Sequence, residues 1–337
     1  MPFTLSHPAF AVPFRRLLPG KLALSGIVLG SMAPDLEYFA RMEAAGTIGH
    51  RLTGFVLIDL PLCTALCCAY LFIVRPALAG FVPSIGGLRD YVYDSIRDLG
   101  SITVLDWLLF LLAAFAGFGT HLFMDAWTHS SGWFVQRIAA LREPMMGDYV
   151  YQWLQYLTSL VGALGCAAWL AFDWFRWYRG YNHAQRRESR AKQAHGINYA
   201  FIVHWTAACM VGVLVLLVKL DSVWSPFLLY VWTVAPFSAA AVGIYAASIL
   251  ALTNQARQWS HGLSIIVLLL ATMWALKLGI VSFAAIRLNL YLSPIERWVG
   301  TIWIFSAAIM LLSVHINRLV KEFVRIGLKT VNNRTLS

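Results

Sequence analysis

His121, Asp125 and His129 stand four residues apart in the segment His121-Leu-Phe-Met-Asp125-Ala-Trp-Thr-His129. On a helix, residues at i, i+4 and i+8 share one face, so the three form a stripe of two imidazoles around a carboxylate. Neutral imidazole and carboxylate together suit zinc and similar divalent ions. The competing reading is a helix whose polar residues only hydrogen-bond to neighbouring helices. Ionisable groups in or beside a membrane are costly and usually functional, which favours the metal. Gly117 and Gly119, just upstream, are expected to let this helix pack closely against another.

Three other positions join the stripe. Asp35 follows Pro34 in Gly30-Ser31-Met32-Ala33-Pro34-Asp35-Leu36-Glu37-Tyr38. It reads either as the cap of a following helix or as a carboxylate ligand at the end of a buried turn, and taken alone the cap is the simpler reading. His50 precedes Arg51, and His7 lies in Thr4-Leu5-Ser6-His7-Pro8-Ala9. Asp59 and Asp106, near the ends of apolar runs, read as groups that support ligands or cap helices. His183 and His195 sit in or beside a basic loop, where solvated surface is the default. His204, His261 and His315 are single histidines in later apolar runs, where interhelical hydrogen bonding is the default. There is no glycine-rich phosphate loop, GxSxG elbow or HExxH pair.

The elements that must position these residues follow from composition. The chain has 337 residues, of which 59% are hydrophobic and 12% charged, with a mean hydropathy of +0.67. That excludes a disordered chain, a coiled coil and a soluble two-domain enzyme, and predicts an all-α polytopic membrane protein with about seven transmembrane helices. Apolar runs near 55–74, 103–124, 157–175, 200–218, 227–252, 262–284 and 301–317 are long enough to cross. Residues 22–33 are too few, and predict a half-buried helix. The runs lack the alternating pattern of a membrane β-barrel. No internal repeat is visible, and the interrupted N-terminus does not read as a signal peptide.

Successive spans run antiparallel, so His50 before the first and His121 to His129 at the end of the second fall at one membrane level. Fifteen Lys and Arg residues lie on the C-terminal side of the membrane against ten on the other, which predicts the N-terminus outside and the C-terminus cytoplasmic. The net charge of +10 is then attributed to basic loops at a membrane and not to a nucleic-acid partner. Trp174, Trp177, Tyr178 and Tyr181 form one interfacial belt, and Trp127, Trp133, Tyr149, Tyr151 and Trp153 the other. The five cysteines lie in apolar stretches and read as small buried hydrophobes. The expected organisation is 1–175, with three spans and the candidate site; a basic cytoplasmic loop, 176–199; a four-helix region, 200–317; and a basic tail, 318–337.

The opening segment through His7, the Gly30 to Asp35 segment and Thr120 through His129 together resemble a family of bacterial membrane proteins grouped with membrane-bound metal-dependent hydrolases. That group is distantly similar to zinc-dependent phospholipase C and P1-type nucleases. The resemblance covers roughly the first 175 residues. It implies, in order, the ligands Pro2 (through its amine, once Met1 is removed), His7, Asp35, His50, His121, Asp125 and His129. One ion would sit on Asp35, His50, His121 and Asp125; Asp125 would bridge to a second on His7 and Pro2; Asp35 would also orient the nucleophilic water. The relatives carry a later His-x3-Glu or His-x3-Asp pair that is missing here, with Glu143 or Asp148 as possible substitutes, so one or two divalent ions, zinc foremost, are expected. Placement at the outer face of a bacterial inner membrane predicts a lipid or other amphipathic phosphoester as substrate. A lipid or ion transporter, and a scaffold tied together by a structural metal, remain the alternatives.

Overall fold

The structure, a computed structural model, describes residues 4–96, 100–180, 199–221, 229–256, 258–288 and 290–335. Pro2, Arg257, His183, His195 and most of the basic loop lie outside the described residues. The chain is an all-α polytopic membrane protein. Among the described residues seven helices are long and apolar enough to cross a membrane: Leu52–Phe81, Val104–Arg137, Val150–Gly180, Tyr199–Asp221, Leu229–Gln255, Trp259–Lys277 and Pro294–Phe323. In lipid a helix satisfies its own backbone donors and acceptors, so long apolar runs settle into this form.

The elements that matter for the site are α1 (His7–Ala11), α2 (Ala23–Arg41), α3 (Leu52–Phe81), α4 (Val104–Thr128) and α5 (Val150–Gly180). Between α4 and α5 a two-stranded hairpin pairs Pro144 with Tyr149 and Met145 with Asp148. The later helices are α6 (Tyr199–Asp221), α7 (Ala235–Gln255), α8 (Trp259–Lys277), α9 (Ile280–Arg287) and α10 (Pro294–Thr335).

The chain groups into two compact units. The first holds residues 1–37, 46–63 and 98–180; the second holds 38–45, 64–97 and 181–337. The units therefore interleave along the sequence, whereas the expected organisation was a continuous segment to 175. In the second unit, an apolar core of Ala65, Ile73, Ala246, Ile249, Ile266 and Ile316 packs helices α3, α7, α8 and α10.

One expectation holds in kind and grows in length: the run at 22–33 is a half-buried helix that continues through Pro34 to Arg41 and is not among the candidate spans. Proline removes one helical hydrogen bond at a cost of about 3 kcal/mol, and close packing of α2 on α4 outweighs it. The run at 262–284 needs correction, because it is broken: α8 ends at Lys277, and α9 begins after Gly279, whose φ of 81° an L side chain rarely adopts.

Candidate metal centre

Helix α4 starts on a capping box. Thr103 Oγ1 accepts from Asp106 N at 3.3 Å, and Asp106 Oδ2 accepts from Thr103 N at 2.9 Å. Lys21 N also donates to Asp106, at 3.2 Å. Asp106 is thus a helix-start group. Twenty-five residues on, α4 ends at Thr128, where His129 N donates to Asp125 O at 3.1 Å.

Packing of α2 on α4 aims the first candidate side chain. A Cβ on Gly30 would collide with Ala114 O, and one on Gly117 with Ile27 O, so the two backbones touch at these glycines. Gly119 faces open space and takes no part, contrary to expectation. One turn beyond Gly117, His121 Nδ1 reaches Ser31 O at 2.8 Å. A carbonyl only accepts, so Nδ1 carries the proton and Nε2 keeps its lone pair. That Nε2 is buried without a hydrogen-bond partner, and stands 3.2 Å from Asp125 Oδ2, off the hydrogen-bond line.

Asp35, one turn beyond Ser31, lies inside α2 and neither caps a helix nor ends a turn. It is 1% exposed. Thr4 Oγ1 donates to its Oδ2 at 2.6 Å, while Oδ1 lies 3.6 Å from His50 Nε2. Burial pushes its carboxyl above the ordinary carboxylate range, with His121 and the Thr4 hydroxyl acting against that.

His7 begins α1, and its ring stacks on His121 with centroids 3.9 Å apart and planes 16° from parallel. It is buried, and its Nε2 has no hydrogen-bond partner. Burial, reinforced by His121, holds its pKa down near 3, so the ring is neutral at ordinary pH. Close contact between Ser6 and Gly162 of α5 seats this N-terminal segment.

His50 arrives on the loop before α3. Glu37, fully buried, grips that loop: its carboxylate accepts from Thr47 N at 2.8 Å, Thr47 Oγ1 at 2.6 Å and Gly49 N at 3.3 Å. The His50 side chain is 35% exposed, and its Nε2 lies 3.4 Å from Asp125 Oδ2. On the other oxygen of Asp125, Oδ1, stands His129 Nδ1 at 3.3 Å, with the His129 side chain 30% exposed. Asp125 is thereby ringed by His50, His121 and His129.

Two donor triplets emerge, His7 with Asp35 and His121, and His50 with His121 and Asp125, each with its atoms within 4.8 Å of one another. Both draw on His121. Among the described residues neither Glu143 nor Asp148 joins them; Asp148 instead accepts from Tyr156 Oη at 3.1 Å. A family model described as Domain of unknown function (DUF4184) matches residues 1–325. The chain belongs to that family. No curated protein and no solved structure matches it.

In this DUF4184 chain several neighbours escape sequence reasoning. Thr4, the Ser31 carbonyl and the Glu37 clamp act across 31, 90 and 10 to 12 residues of sequence. Glu37 alone carried a signal, as a second acid two residues from Asp35. Elsewhere His204 bonds its own helix at Ala200 O, at 2.5 Å, but His261 and His315 are a pair, Nε2 to Nε2 at 3.3 Å across α8 and α10.

Proposed function

We propose that this protein is a membrane-embedded, metal-dependent hydrolase of phosphoester bonds, acting on a lipid-linked substrate at the outer face of the bacterial inner membrane. The observation that carries the reading is the ring of donors on His121 and Asp125. Donors held about 2.0–2.1 Å from one tetrahedral ion stand about 3.3–3.4 Å apart. The separations His121–Asp125, His50–Asp125 and His50–Asp35 are 3.2, 3.4 and 3.6 Å. His121 Nε2, Asp125 Oδ2, His50 Nε2 and Asp35 Oδ1 would hold the ion, zinc by its imidazole and carboxylate ligands. Such an ion lowers the pKa of a bound water and stabilises negative charge on a phosphoryl group.

The remaining roles belong to the chain. With Nδ1 committed to Ser31, His121 has one lone pair to give and serves a single ion. Thr4 fixes Asp35 through Oδ2 and leaves Oδ1 facing His50; its burial-raised proton affinity suits it to accept a proton from the attacking water. His7 backs His121 and keeps bulk water from its ring. His129, part-exposed and outside those four donors, offers a contact to the substrate phosphate. Trp133 and Tyr149, 55% and 47% exposed, suit the headgroup level of a bilayer.

The test is metal content and phosphoester hydrolysis of the detergent-purified protein, alongside Asp125→Ala. One zinc per chain and hydrolysis of phospholipid or polyprenyl phosphate, both lost in the variant, are expected. Hydrolysis that survives in Asp125→Ala, or wild type that binds no metal after reconstitution, overturns the reading.

A further inference from the structure

Asp59 is the least accounted-for group in the first unit. It ends a π-helical turn, Phe55–Asp59, inside the candidate span α3, is 0% exposed, and neither carboxylate oxygen has a hydrogen-bond partner. Buried acids are almost always paired or hydrogen-bonded, so a bare one calls for a ligand. Single-turn π-bulges also gather at functional sites.

The surroundings indicate what kind. A Cβ built on Gly49 would lie 2.7 Å from Pro34 O, 3.3 Å from Glu37 Oε2 and 3.5 Å from Asp59 Oδ1. Three oxygens, two of them from fully buried carboxylates, therefore converge on the flank of Gly49. The hydrogen bonds Glu37 accepts from Thr47 and Gly49 hold one wall in place. The three atoms nearest that flank among the described residues are all oxygens, and oxygen donors select hard cations over zinc.

We propose that Asp59, Glu37 and the Pro34 carbonyl form a second cation site, distinct from the histidine centre and selective for a hard divalent ion of the calcium or magnesium class. The ion neutralises Asp59 inside the span. Through Glu37 it also stiffens the loop that carries His50. The inference does not depend on the hydrolase reading, because these residues need no imidazole ligand.

The experiment is bound calcium and zinc per chain on detergent-purified protein dialysed with both ions, for wild type and the isosteric Asp59→Asn. Wild type should hold one calcium and unfold at a higher temperature with calcium than in chelator. Asp59→Asn should lose the calcium, keep its zinc and show no such rise. If Asp59→Asn fails to fold, Asp59→Glu serves in its place and should still bind calcium, with altered affinity. Wild type that takes up no calcium, or equal calcium in wild type and Asp59→Asn, overturns the site; unfolding that ignores calcium in both would leave Asp59 as a protonated acid. Loss of zinc from every preparation would instead count against the histidine centre and leave the calcium result standing.

Discussion

The two units bury polar groups of different kinds. Among the described residues the first buries His7, Asp35, Glu37, Asp59, Asp106 and His121 along with a few hydroxyls and Gln155, whereas the second buries only Ser238, Ser248, Thr253, Ser306 and Ser313. Hydroxyls can close on their own helix: Ser248 Oγ donates to Ile244 O at 2.7 Å and Thr253 Oγ1 to Ile249 O at 2.9 Å. Asp106 closes on the start of its own helix, but Asp35, Glu37 and His121 make their hydrogen bonds to other segments of the chain. The first unit thus carries the desolvation cost of charged groups, which only a ligand or a mutual network offsets, while the second buries neutral hydroxyls, of which Ser306 Oγ has no hydrogen-bond partner. That division of labour separates a site from its scaffold.

The sharpest way to break the contrast is His121→Ala. It removes the ring that Ser31, Asp125 and His7 all contact, so the part-buried Asp125 carboxylate loses a partner. The expected cost is about 3–5 kcal/mol of stability, together with loss of bound metal. Thermal unfolding and metal analysis read both. A variant as stable as wild type would place the first unit's charges in the same inexpensive class as the second unit's hydroxyls.

Gly30→Ala and Gly243→Ala sharpen the comparison, since each Cβ would strike a carbonyl of a neighbouring helix, Ala114 O in the first unit and Ala208 O in the second. Overpacking of this kind costs about 1–3 kcal/mol, so both should unfold earlier. Only Gly30→Ala should also lower metal content, because spreading α2 from α4 pulls Ser31 O away from His121 Nδ1. Equal metal loss in both variants would refute this division between the units.

Much of the fold was legible because lipid enforces one rule on every span. Each of the seven apolar runs carries a candidate span, although the run at 262–284 breaks at Gly279 into two helices. Within the site, His121, Asp125 and His129 were readable because i, i+4 spacing fixes a shared face before any tertiary contact forms. Asp35 was legible as a candidate but not in its setting, since Pro34 signals a helix boundary that packing overrode. Thr4 was not legible as a site neighbour, because nothing local marks a contact made between separate elements; Asp59 and Glu37 were marked only by being acids in apolar surroundings. The pairing of His261 with His315 is hidden in the same way by 54 intervening residues.

Thr4→Val removes the hydroxyl that holds Asp35 Oδ2 while keeping the side chain's shape. A hydrogen bond to a charged group is worth about 1.5–3 kcal/mol, and partners behind a metal ligand affect affinity or activity about 10–100-fold. Zinc affinity should fall by that factor with the helices intact; an unchanged affinity would mean that Asp35 is not a ligand.

Acid titration of the metal-free protein should also follow the first unit. Folded His7 titrates near 3 where the unfolded residue titrates near its ordinary 6.5, so below that ordinary value the unfolded state binds the extra proton and stability falls as pH drops from about 6.5 toward 3. Asp35 works in the opposite sense: its raised folded pKa makes the folded state the better proton binder, so its contribution is lost as pH rises from the ordinary carboxylate value up through its raised folded value. His7→Gln should flatten the acid limb of a plot of unfolding temperature against pH. An unaltered limb would trace the pH dependence to groups other than His7.

Ser248→Ala sits at the small end of the scale and gives the comparison its baseline. Ser248 is fully buried, yet its one recorded hydrogen bond runs to Ile244 O, a carbonyl four residues back on the same helix. That carbonyl keeps its helical N–H partner when the hydroxyl goes, and alanine is the better helix former. Loss and gain nearly cancel, so stability should change by less than about 1 kcal/mol, with metal content unaltered. A drop comparable to His121→Ala would show that a buried hydroxyl in the second unit is as costly to disturb as a buried charge in the first, and the distinction between site and scaffold would fail on energetic grounds.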